Sequence, residues 1–156
     1  MRWTSSALVL ALLASGWGCS NDEEAARELA ELERALTAIS AAPVEDWPPL
    51  LEQMRRIPLT APKGREVRAQ CLAAYEAYTK AAAQLREARK RVESVETETR
   101  RLTDGDGGIP APEIGKLHRE ATEATDEVGA SLDRAQRLVD SCRDLRAEAR
   151  AELGSP

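Results

Sequence analysis

The chain has 156 residues with 27 acidic against 22 basic side chains, 42% hydrophobic but only 3% aromatic residues, and no phenylalanine at all. A net charge of −5 disfavours nonspecific binding to nucleic acid or to an anionic lipid surface. A chain so poor in large side chains buries little apolar area per residue, which excludes a broad aromatic core.

The first segment carries Arg2 as its early charge, an apolar stretch from Ala7 to Ala14, and then the small residues Ser15, Gly16 and Gly18. This is the layout of a secretory signal peptide over residues 1–18, and its apolar core of roughly ten residues is too short for a membrane span of about 20. Cys19 at its end resembles the lipidated cysteine of a bacterial lipoprotein signal. The resemblance implies cleavage before Cys19, acylation of that residue and attachment to the membrane through its acyl chains. Several chains hold a protein stably where one does not. Ser20 follows, where an aspartate would resemble an inner-membrane retention signal, so the implied location is the periplasmic face of the outer membrane. Cleavage after Gly16 or Gly18 is the alternative and gives a secreted soluble protein.

Residues 19–42 form the next unit. Asn21 or Asp22 can cap a helix with an acidic first turn, whose stripe of Ala25, Leu29, Leu32, Leu36 and Ile39 has three-four spacing. Pro43 ends it. Residues 43–64 are a proline-rich connector with one short helix after Asp46, showing Leu50, Leu51, Met54 and Ile57. Trp47 and these leucines are expected to pack on the base of the following element, near Tyr75 and Tyr78. A detached first helix serving as a stalk is the alternative.

Residues 65–156 read as a helical hairpin. No proline or glycine interrupts residues 65–102, and a second helical stretch runs over residues 113–153. Between them, "TDGDGGIPAP" must reverse the chain, so the arms are antiparallel, each about 60 Å long. The expected architecture is all-α, an elongated coiled-coil-like hairpin with the N-terminal helix packed on it, as three helices, whether monomeric or a dimer of hairpins.

On the second arm, Ile114, Leu117, Ala121, Ala124, Val128, Ser131, Ala135, Leu138, Cys142, Leu145 and Ala149 alternate in coiled-coil steps of three and four. The first arm shows Cys71, Tyr75, Tyr78, Ala82, Leu85, Val92, Val95 and Leu102. With Cys71 level with Cys142, Tyr78 is level with Ala135 and Leu85 with Val128, so the seams meet. The same register sets Arg65 by Glu148, Glu76 by Arg137, Lys80 by Asp133, Arg86 by Glu127, Lys90 by Glu123 and Arg100 by Glu113, against two unfavourable pairs, Glu93 by Glu120 and Glu87 by Asp126. Sliding one heptad either way opposes like charges. Three cysteines with Cys19 lipidated leave a pair, so a Cys71 to Cys142 disulfide is expected. Two free buried thiols in a reduced compartment are the alternative.

Chemistry is scarce. His118 is the only histidine and stands far along the helix from Cys142, so no metal or catalytic relay is expected there. Asp104 and Asp106 in "DGDGG" lack the further ligands of an EF-hand loop. The run 86–91, "REARKR", reads as a solvated, paired face. The chain is therefore expected to be a non-enzymatic envelope protein without cofactor, acting as an interaction or assembly module on a protein partner. Ile109 at the hairpin tip and Trp47 are the candidate contacts. An inhibitor or immunity lipoprotein against a periplasmic enzyme is the alternative.

Overall fold

The computed structural model describes residues 19–153 and is all-helical. The leader, residues 1–18, lies outside the described residues. The elements are α1 (Cys19–Ala41), a single 3₁₀ turn (Val44–Asp46), α2 (Trp47–Arg56), α3 (Pro62–Asp104) and α4 (Ala111–Glu152). α3 has 43 residues and α4 has 42, so the antiparallel pair is about 65 Å long. Both arms begin slightly before their expected starts. Prolines at Pro62 and Pro112 occupy first-turn positions, where the missing N–H is of no consequence.

The reversal is built on glycine. Gly105 closes α3 in the left-handed region at φ 76°, its N–H donating to the Arg101 carbonyl, and Asp106 N–H donates to the same oxygen. Gly107 has φ 72°. Pro110 then precedes the first turn of α4, whose Glu113 N–H returns to the Pro110 carbonyl.

Cys71 and Cys142 form a disulfide with Cα atoms 4.9 Å apart, which fixes the register expected from the sequence. On α4 the buried residues Ala121, Val128, Ala135, Cys142 and Ala149 recur at intervals of seven. On α3 they are Gly64, Val67, Cys71, Ala74, Ala81 and Ala88, with Tyr75. The first-arm seam thus differs from the expected one. Steps from Cys71 can pass through residue 74 or 75, both apolar. Helix α3 turns Ala74, Ala81 and Ala88 inward because Tyr75 is drawn aside by α1 and α2. Ala82 is only half-buried and Leu102 stands 47% exposed.

The flanking ion pairs expected across the hairpin do not form. Arg86 reaches Glu45 beside α2 (3.1 Å), Lys90 pairs with Glu87 on its own helix (2.8 Å), and Glu76 accepts from Arg55. Exposed charges gain as much from the nearest intrahelical neighbour as from the opposite arm, so the register rests on the seam and the disulfide. Among the described residues Lys63 reaches across, to Glu148 at 3.1 Å and to Glu152 at 3.6 Å.

The large side chains gather at the base. Leu29, Leu32, Leu36 and Ile39 of α1 meet Leu51 and Met54 of α2 and Val67, Cys71 and Tyr75 of α3 in one cluster. α1 is packed on the hairpin rather than standing free as a stalk. Beyond the reach of α1 and α2 the hairpin is two helices thick, and the buried residues there are Ala88, Ala121 and Val128.

Candidate functional site

Three polar contacts seat α1 on the hairpin. Glu28 is buried, and its Oε1 accepts hydrogen bonds from the Thr60 N–H and hydroxyl, both at 2.6 Å, while Oε2 accepts from the Ala61 N–H at 3.0 Å. These donors immediately precede α3, whose N-cap residue Ala61 makes no side-chain cap. Burial pushes the Glu28 carboxyl up, but the hydrogen bonds from Thr60 and Ala61, with Arg65 nearby, outweigh it and hold it below the ordinary glutamate value.

Glu33 is clasped from α4. Arg146 donates from Nε to Oε1 at 2.9 Å and from a second nitrogen to Oε2, which also receives Arg150 at 2.7 Å. Partial burial raises the Glu33 carboxyl, and the two guanidinium groups more than reverse that. The Ser40 hydroxyl meets the Tyr75 hydroxyl at 3.1 Å. Glu28 touches the beginning of α3 and Ser40 touches it farther along, so α1 runs parallel to α3. The Cys19 end of α1 and the reversing loop therefore lie at opposite ends of the molecule, about 75 Å apart along the axis.

Trp47 stands where the sequence expects it. Its ring lies edge-on to Tyr75 with centroids 5.2 Å apart and tilted to Tyr78 at 5.4 Å, and its Nε1 donates to the Ala42 carbonyl at 2.9 Å. The indole is spent on holding the connector to the hairpin, which leaves it only half-buried but turned inward. As a partner contact it offers little surface. Ile109, expected to be exposed at the tip, is half-buried in the loop. Its neighbour Gly108 runs so close to the end of α3 that a Cβ there would meet the Leu102 nitrogen at 3.1 Å.

An open groove of about 670 Å³, not anticipated from the sequence, lies between the outer parts of α3 and α4. Its floor is Val92, Val95 and Ala121, and its rim includes Glu96, Arg100, Asp104, His118 and Asp126. Val92 is 39% exposed, a large apolar side chain left uncovered. The signal was present in the apolar seam itself, which continues past the last residue that α1 or α2 can reach.

His118 is exposed, with Nδ1 at 3.5 Å from the Thr122 hydroxyl of the next turn. Among the described residues no three histidine, cysteine or acidic side chains are grouped to hold a metal ion, and no helix is long and apolar enough to cross a membrane. Comparisons of the chain with protein families, with curated proteins and with solved structures find no match.

Proposed function

We propose that the chain is a non-enzymatic lipoprotein of the bacterial envelope, held by acyl chains on Cys19 at the periplasmic face of the outer membrane, whose hairpin engages a protein partner as an interaction or assembly module. The observation that carries this reading is the polarity of the rod. Cys19 opens α1 at one end, and the two-helix outer half with its uncovered apolar groove lies at the other. An anchor at the first end presents the second away from the bilayer. The buried Cys71 to Cys142 disulfide suits an oxidising compartment.

The test is the intact mass of the protein from native membranes, with and without reduction, joined to crosslinking in the cell. A triacylated chain beginning at Cys19, with two thiols freed only by reduction, supports the anchor. A single stoichiometric crosslinked partner, recovered less well when Ile109→Asp alters the tip at unchanged helicity, supports the module. An unlipidated chain overturns the anchor, and undiminished recovery rejects Ile109 as a contact.

A further inference from the structure

α1 and α2 cover one face of the hairpin at its base and end there. On α3 that face carries Leu72 and Tyr75, packed in the basal cluster, and on α4 it carries Arg146 and Arg150, which hold Glu33. In a coiled pair a seven-residue repeat keeps one face turned the same way along its length. Steps of seven from Tyr75 lead to Glu96 and Thr103, and from Leu72 to Arg100. Steps of seven back from Arg146 lead to Thr125 and His118, and from Arg150 to Thr122. All six line the groove. The groove is thus the continuation, toward the tip, of the face that α1 fills at the base.

We propose that this groove seats a third helix supplied by a protein partner, in line with α1, amphipathic, with an apolar stripe at three-four spacing and basic residues on its flanks. The proposal deepens the interaction-module reading and rests on it, but it does not depend on the acyl anchor. The face already accepts one such helix, through the stripe Leu29, Leu32, Leu36 and Ile39. From Val92 to Asp104 the groove runs about 18 Å, the length of a three-turn helix, and the small side chains Ala121 and Thr122 admit close approach. The rim sets the flanking charge, because Glu96, Asp104 and Asp126 stand against Arg100. A second copy of the chain cannot present this same face in parallel, because its α1 and α2 stand on that face at the base and would hold the two hairpins apart.

The experiment titrates the disulfide-bonded protein against two labelled synthetic helical peptides, read by fluorescence anisotropy. Both carry leucine and isoleucine at the spacing of the α1 stripe, one with lysine flanks and the other with glutamate flanks. The lysine peptide should bind saturably and the glutamate peptide at least fivefold more weakly. Thr122→Arg, at an exposed position outside the seam, should weaken the lysine peptide at least tenfold with helicity unchanged. Absence of saturable binding, equal binding of the two peptides, or indifference to Thr122→Arg overturns the proposal. A concentration-dependent dimer in sedimentation that Thr122→Arg abolishes assigns the groove to an antiparallel second copy and overturns it as well. If the peptides fail while the crosslinked cellular partner is still recovered, the groove is rejected and the module reading stands.

Discussion

Glu28 pins the two residues that lead into a helix beginning 34 residues after it: its carboxylate takes the Thr60 and Ala61 N–H groups at 2.6 and 3.0 Å, immediately ahead of Pro62, where α3 starts. A glutamate inside one helix thereby fixes where another starts. Nothing in its local sequence separates it from the exposed Glu24 or Glu31.

Glu28→Gln should lower stability by roughly 1–3 kcal/mol, because a neutral amide accepts these bonds more weakly and buries an unsatisfied donor. The wild-type carboxyl titrates lower in the folded protein than in the unfolded chain. Its contribution is therefore complete above the ordinary glutamate pKa and is lost as pH falls through the lower folded value. Urea unfolding at neutral pH and at successively more acid pH should show the gap between wild type and Glu28→Gln closing toward the acid end. A gap independent of pH would mean that the charge on Glu28 is immaterial.

Arg146→Ala should cost about 1.5–3 kcal/mol by removing a two-pronged, half-buried clasp on Glu33, and Glu33→Ala somewhat less, since it leaves two guanidinium groups with access to water. The Glu33 carboxyl is likewise lowered by its partners, so this loss also fades in acid. A double-mutant cycle in urea should return a coupling near 1 kcal/mol or more. Additive losses would show that the Glu33–Arg146 clasp itself adds nothing to the hold on α1.

The legibility of the fold follows the same division. The helices, the reversing loop and the cysteine register were readable because each depends on short spacings or on a covalent pairing with few solutions. The exposed ion pairs were misread because many arrangements of surface charge have nearly equal energy, and Arg86 found Glu45 on an element whose position the seam cannot reveal. The choice between Ala74 and Tyr75 for the inner layer is likewise decided by α1 and α2, which compete for the larger ring. Trp47 was placed correctly against Tyr75 and Tyr78 but its contact with them uses the surface a partner would need. The groove was missed because it is an absence of packing, visible only once the end of α1 is located on the hairpin.

The disulfide closes a sequence separation of 71 residues, and in the loop-entropy model such a closure contributes about 4 kcal/mol. The effect is large relative to a seam whose outer layers are mostly alanine. Reduction, or the paired change Cys71→Ser with Cys142→Ser, should lower the unfolding free energy obtained from urea titration by an amount in that range. A loss of only a few tenths of a kcal/mol would mean that the basal cluster holds the two arms together without the bond.

The two glycines Gly105 and Gly129 should respond in opposite directions to alanine. Gly105 sits at φ 76° with open space around its Cα, so Gly105→Ala meets no neighbour but forces a left-handed backbone on a residue with a Cβ, at a cost of about 1 kcal/mol. Gly129 lies within α4, exposed and with nothing near the added carbon. There Gly129→Ala should stabilise by roughly 0.5–1 kcal/mol, because the unfolded chain loses freedom and the helix gains a better former. Thermal unfolding of the two variants beside the wild type measures both. If both raise the midpoint, the reversal adjusts to a right-handed turn, and the left-handed cap at Gly105 is not what ends α3.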